Sequence, residues 1–98
     1  MRMIWIFVLI VAASSNAYSA DALKGETLAK RWCASCHVVS QRQIQGTTLT
    51  PPFSEIAKKP DFNKRDIAYF LLAPHPPMPD MNLTRTEADD LAAYIADQ

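Results

Sequence analysis

After position 20, apolar residues recur at helical spacing, and the runs of β-branched residues typical of strands are absent. The first predicted helix runs from about Ala22 to Cys33, with Asp21 at its N-terminal end as a cap. One face of this helix carries Gly25, Leu28, Ala29 and Trp32. Glycine weakens a helix interior, so Gly25 either allows another helix to approach closely or lies in a frayed first turn.

Two further helices are predicted in the middle of the chain. A short one spans Ser54 to Lys59, with its first residue as the cap and a proline as its stop. The next begins at Asn63 and ends near Leu72, because the following residue precedes a proline and is pushed away from helical backbone. Polar residues and prolines between positions 38 and 52 predict an ordered surface loop.

The last predicted helix has the clearest start. Residues 84–87, Thr-Arg-Thr-Glu, form a capping box, and the helix continues to the C-terminus. Its apolar face consists of Ala88, Leu91, Ala92 and Ile95. The sequence therefore predicts an all-α domain of three main helices and one short helix. The apolar faces are too narrow to fill a core by themselves, so another group should occupy the centre.

The first twenty residues have the pattern of a signal peptide. Arg2 precedes an apolar run from Ile4 to Ala13, which is too short to span a bilayer. Small residues follow, and cleavage after Ala17 or Ser19 fits the small-x-small rule. We expect residues 1–20 to contain the signal peptide and residues 21–98 to form one domain. The alternative is a retained N-terminal anchor.

Composition narrows the possible functions. The 98 residues carry no net charge, and removal of Arg2 would lower the charge by one. The sequence lacks the excess of basic residues that would indicate a nucleic-acid partner. A domain as small as residues 21–98 buries a modest share of its surface, and such domains often depend on a disulfide, a metal or a cofactor.

Residues 33–37 read CASCH, and three kinds of chemistry use cysteines at this spacing. A redox disulfide normally opens a helix beside a strand, and no strand is predicted here. A zinc site needs four ligands, and His75 alone cannot complete the set. Covalent haem attachment has Cys-x-x-Cys-His as its specific signature.

Haem attachment also explains the spacing within CASCH. The thiols of Cys33 and Cys36 add across the two vinyl groups of haem and form thioethers, and the two intervening residues span the distance between the vinyls. The next residue, His37, then lies under the iron and offers a ring nitrogen as a ligand. Because both thiols are consumed, neither is left for a disulfide.

The chain resembles the class I cytochromes c, small soluble bacterial proteins with one haem. The resemblance covers residues 21–98 and rests on CASCH together with other motifs in the family's order. These are Gly25 eight residues before Cys33, Pro-Pro-Phe at 51–53, Met-Pro at 78–79, and Leu91 and Tyr94 in the closing helix. The resemblance implies the cytochrome c-like fold around one covalently bound haem c.

The same resemblance implies roles for single residues. Gly25 would lie where the first and last helices cross, against Leu91 and Tyr94. The carbonyl of Pro51, or that of Pro52, would accept a hydrogen bond from the second ring nitrogen of His37 and raise the basicity of the imidazole. The candidates to line the haem are Phe53, Ile67 and Phe70.

Residues 74–81, PHPPMPDM, contain three candidates for the sixth iron ligand. His75 would give a bis-histidine iron, whereas a methionine thioether would favour Fe(II) and raise the potential. We expect Met78 to be the ligand, because the family's methionine is followed directly by proline and prolines on both sides restrict the backbone. Met81 is expected to pack under the last helix, and His75 to lie on the surface.

These features predict a periplasmic one-electron carrier whose haem iron cycles between Fe(III) and Fe(II), and not an enzyme. Its partners would be a redox protein donor and an acceptor, each bound transiently, and it would act as a monomer without stable membrane insertion after signal cleavage. One alternative is a dedicated cytochrome subunit of a periplasmic dehydrogenase or oxidase complex. Another is a ligand-binding or peroxidatic haem protein with an open sixth site.

Overall fold

The computed structural model describes residues 19–43, 50–74 and 76–98. These residues form four helices and no strand, which confirms the predicted all-α class. The helices are α1 (Ala22–Trp32), α2 (Phe53–Lys58), α3 (Lys64–Leu72) and α4 (Arg85–Ala96). In this part of the chain, no helix combines the length and the hydrophobicity needed to cross a membrane. Most of the predicted signal peptide, part of the predicted surface loop, and His75 lie outside the described residues.

Side-chain caps begin three of the helices at the predicted places. Asp21 accepts hydrogen bonds from the backbone N–H groups of two residues in the first turn of α1, and Asn63 does the same for α3. At α4, the Thr84 hydroxyl accepts from the Glu87 N–H at 3.1 Å, and the Glu87 carboxylate accepts from the Thr84 N–H at 2.9 Å. The predicted capping box is therefore confirmed.

The prediction that Ser54 caps the short helix is wrong. Helix α2 begins one residue earlier, at Phe53, after an extended Pro52. The Pro52 carbonyl accepts from the N–H groups of Glu55 and Ile56, and the Phe53 N–H donates to Val38 at 3.0 Å. Because the preceding loop satisfies this first N–H group, the helix needs no side-chain cap at this end.

The other three helices all pack against the last helix, and α1 makes the most extensive contact with it. A Cβ atom added at Gly25 would lie 2.6 Å from the carbonyl carbon of Asp90 and 2.8 Å from Cβ of Tyr94. The Asp90 carboxylate is buried and accepts from the Asp21 N–H at 2.7 Å, which ties the start of α1 to α4. The expected role of Gly25 in the helix crossing is thereby confirmed, and Leu91 is fully buried in the core.

Replacing Gly25 with alanine should destabilise the protein, although alanine is the better helix former. The added methyl group would meet the backbone of α4, which cannot move away as a flexible side chain can. We expect the free energy of unfolding in denaturant to fall by about 2 kcal/mol or more. Thr27→Ala, on the exposed face of α1, is the control and should be neutral or slightly stabilising. A Gly25→Ala protein as stable as the wild type would contradict this packing.

The capping box makes a pH-dependent contribution to stability. The Thr84 backbone N–H, and then its hydroxyl, lower the pKa of Glu87 below its ordinary value of 4.5. A carboxylate whose pKa falls on folding stabilises the native state above the unfolded-state pKa, and this contribution is lost as the pH falls through the folded-state pKa.

We therefore expect Glu87→Gln, which keeps an acceptor in the box but cannot titrate, to differ most from the wild type at neutral pH. The difference in unfolding free energy should shrink as the pH falls below about 4.5. Denaturant titrations of both proteins from pH 7 to pH 3 measure it. A difference that stayed constant or grew on acidification would argue against a charged cap at Glu87.

Candidate functional site

The CASCH segment forms a tight turn directly after α1. The N–H groups of Cys33 and Ala34 both donate to the Ala29 carbonyl, at 2.9 and 3.1 Å. The His37 N–H then donates to the Cys33 carbonyl at 2.8 Å. This turn buries Cys33 and His37 on the inner side and leaves Cys36 exposed.

The two cysteines have different surroundings. Cys33 is 5% exposed, and its burial, with a smaller contribution from Cys36, raises its pKa to about 11. A redox-active cysteine needs a lowered pKa, so this environment does not favour disulfide chemistry. Nor do the described residues contain a cluster of three or more histidine, cysteine, aspartate or glutamate side chains able to hold a metal.

The His37 ring is held in one tautomer. Its Nδ1 atom lies 2.7 Å from the carbonyl oxygen of Pro51, and a carbonyl can only accept, so Nδ1 carries the proton. The other nitrogen, Nε2, then has its lone pair available for a metal. The ring also contacts Phe53, with a distance of 5.5 Å between the ring centroids. The predicted bond to a proline carbonyl is thus confirmed, and its acceptor is Pro51.

An apolar cavity of about 530 Å³ opens beside this histidine. Its lining includes Cys33, His37 and Met78 as well as the three residues expected to line the haem, Phe53, Ile67 and Phe70. The exposed Cys36 is not among the lining residues. Apolar walls with few coordinating atoms suit a large flat group such as haem. A larger and more open hollow of about 900 Å³, between α1 and the last residues of the chain, contains no cysteine, histidine or methionine.

The two candidate methionines have different surroundings. Met78 is half-buried and lines the cavity with Pro77. Met81 is 6% exposed, belongs to the hydrophobic core and does not line the cavity. Asn82 follows it with a positive φ of 50°, a conformation that asparagine tolerates better than most residues. The third candidate, His75, lies outside the described residues.

Two polar side chains that the sequence did not single out fasten the CASCH turn. The Gln43 side chain accepts from the Val39 N–H at 2.9 Å and donates to the carbonyls of Ala34 and His37 at 2.9 and 2.8 Å. The Thr50 hydroxyl donates to the Cys36 carbonyl at 2.6 Å. These bonds span from 4 to 14 residues of chain and leave no periodic pattern, so the sequence alone gives no signal for them.

Comparison with known proteins identifies the relatives of this chain. The sequence profile of the family described as Cytochrome c matches residues 22–98, which include all four helices. Cytochrome c-552 of the bacterium Bradyrhizobium diazoefficiens is 50% identical over 95 residues, covering 97% of this chain and 91% of that relative. No solved structure matches the chain. The chain therefore belongs to the cytochrome c family, as an electron-carrying protein with covalently bound haem c.

Proposed function

We propose that the protein is a periplasmic one-electron carrier with His37 and Met78 as its axial iron ligands. The bound haem iron supplies the chemistry by cycling between Fe(III) and Fe(II). In this proposal Cys33 and Cys36 form the two thioethers, and Nε2 of His37 is the proximal ligand. The observation that carries the proposal is that one apolar cavity is lined both by a histidine fixed in its metal-binding tautomer and by a methionine.

The surroundings of the two methionines support Met78 as the sixth ligand. A ligand must reach the cavity, and Met78 does so, whereas Met81 is enclosed in the core. Prolines at 77 and 79 fix their own φ angles on both sides of Met78. This restraint reduces the entropy lost when the thioether is held at the iron. A rigid ligand segment also limits rearrangement when the oxidation state changes.

With both axial positions occupied by protein side chains, the iron would have no open site for a substrate. For this reason we propose electron transfer to and from transient protein partners, without bond-making catalysis. The described residues include only three exposed large hydrophobic side chains, Leu23, Tyr69 and Phe70. The last of these lines the cavity, and so few exposed side chains do not make the large patch expected of a permanent subunit interface. A free carrier is therefore the better interpretation.

We further propose that residues 1–20 contain a signal peptide and that the functional domain is residues 21–98. The helix cap at Asp21 and the family match from residue 22 support this boundary. Intact-mass measurement of the protein from the periplasmic fraction should give a chain that begins after Ala17 or Ser19 and carries one haem. A chain that keeps residues 1–20 and sediments with membranes would support the retained anchor instead.

The axial ligand assignment predicts opposite results for two methionine substitutions. In Met78→Ala the charge-transfer band of a methionine-ligated ferric haem should disappear and the reduction potential should fall, because the soft sulfur that favours Fe(II) is lost. In the matched control, Met81→Ala, the band should remain while the free energy of unfolding falls by about 2–4 kcal/mol, because a buried side chain leaves a cavity.

Optical spectra, potentiometry and denaturant titration of the three holoproteins measure these effects. If Met81→Ala alone abolished the band, the ligand assignment would be wrong. A wild-type ferrous protein that bound carbon monoxide rapidly would point to an open sixth site.

A further inference from the structure

The segment that supplies the carbonyl for His37 is joined to the CASCH turn by three neighbouring hydrogen bonds. The Thr50 hydroxyl donates to the Cys36 carbonyl at 2.6 Å, and Nδ1 of His37 donates to the Pro51 carbonyl at 2.7 Å. The Phe53 N–H donates to the Val38 carbonyl at 3.0 Å. Residues 50–53 therefore run beside residues 36–38, and the histidine bond is the middle one of the three.

The prolines make the two outer bonds important. Neither Pro51 nor Pro52 has a backbone N–H, so neither can fasten this segment by donating a main-chain bond. On the C-terminal side, the Phe53 N–H provides the nearest backbone donor. On the N-terminal side, the Thr50 hydroxyl reaches the residue directly before His37. A side-chain bond on one side and a backbone bond on the other therefore both contribute to holding the Pro51 carbonyl in place.

We propose that Thr50 is a positioning residue for His37: its hydroxyl holds the Pro51 carbonyl against Nδ1 of the imidazole. The proposal rests on the proposed function, in which His37 is the proximal ligand. Threonine suits this task because it is β-branched and has few side-chain rotamers, so its hydroxyl is already restricted in direction. The residue before a proline is also confined to extended backbone, which further limits the directions available to Thr50.

The electronic consequence follows from the chemistry of the imidazole. A hydrogen bond from Nδ1–H to a carbonyl increases the electron donation of the ring to a bound metal and so favours the ferric state. When the Thr50 hydroxyl is absent, the Pro51 carbonyl is held less firmly and this donation weakens. The Fe(III)/Fe(II) equilibrium should then shift toward Fe(II), and the His37 ring proton should exchange faster with solvent.

Thr50→Val tests the proposal because it removes the hydroxyl and keeps the branched shape. Thr50→Ser keeps the hydroxyl and removes the methyl group. Thr27→Val is the matched control, since the Thr27 hydroxyl is exposed on α1 and lies 3.5 Å from the Leu23 carbonyl. The measurements are the reduction potential of each holoprotein and hydrogen exchange of the His37 Nδ1–H in the ferrous state by NMR.

We expect Thr50→Val to speed exchange of the Nδ1 proton by about fivefold, the scale of one ordinary hydrogen bond. It should also shift the ferric-to-ferrous ratio by about threefold, or roughly 30 mV for a one-electron couple. Thr50→Ser and Thr27→Val should match the wild type. The proposal fails if Thr50→Val leaves both quantities unchanged, or if Thr50→Ser changes them as much as Thr50→Val does.

The wild-type spectrum separates this proposal from the one on which it rests. If the wild-type spectrum shows that His37 is not bound to iron, the ligand assignment fails and the role of Thr50 fails with it. If His37 is bound but its Nδ1 proton is not protected, the ligand assignment stands and the role of Thr50 fails. If that proton is present and Thr50→Val does not affect it, the ligand assignment stands and only the role of Thr50 is rejected.

Discussion

The hydrogen bond between Nδ1 of His37 and the Pro51 carbonyl is the contact on which the rest of the site depends. It assigns the proton to one ring nitrogen and so leaves the other nitrogen free to bind iron. It also joins the turn at the end of α1 to the segment that starts α2. Residues from both segments line the apolar cavity, so this bond sets the chemistry of the histidine and, with the neighbouring bonds of Thr50 and Phe53, the position of the cavity wall.

The helix crossing serves the site by fixing where the CASCH turn emerges. Because Gly25 has no side chain, α1 can lie against the backbone of α4, and the turn that follows α1 is placed accordingly. The Tyr94 hydroxyl, on the same face of α4, donates to the Val39 carbonyl at 2.7 Å, just beyond His37. Helix α4 thus makes both the crossing with Gly25, which stabilises the fold, and the Tyr94 bond to Val39, which anchors the chain beside His37. Substitutions at the crossing should therefore affect the stability of the fold and the geometry of the site.

The sequence predicted the features that local patterns encode, which are the helices and the haem-attachment motif. It missed the hydrogen bonds that loop residues make only once the chain is folded. Helical spacing and caps such as Thr84 predicted the four helices, and CASCH with its fixed spacing predicted the chemistry. The start of α2 was placed wrongly at Ser54, because its first N–H group is satisfied by a loop residue far away in sequence. Gln43 and Thr50 were missed because a polar residue in a loop has no pattern that reveals which carbonyl it will reach.

The central claim is that one histidine, in one tautomer, binds the iron. The chain contains only two histidines, His37 and His75, so labelling with ¹⁵N-histidine reports on every imidazole in the protein. NMR of the labelled ferrous holoprotein should show one ring with its Nε2 bound to iron and a slowly exchanging proton on Nδ1. The other ring should show no iron-bound nitrogen. Two iron-bound rings, or an iron-bound ring without the Nδ1 proton, would contradict the account.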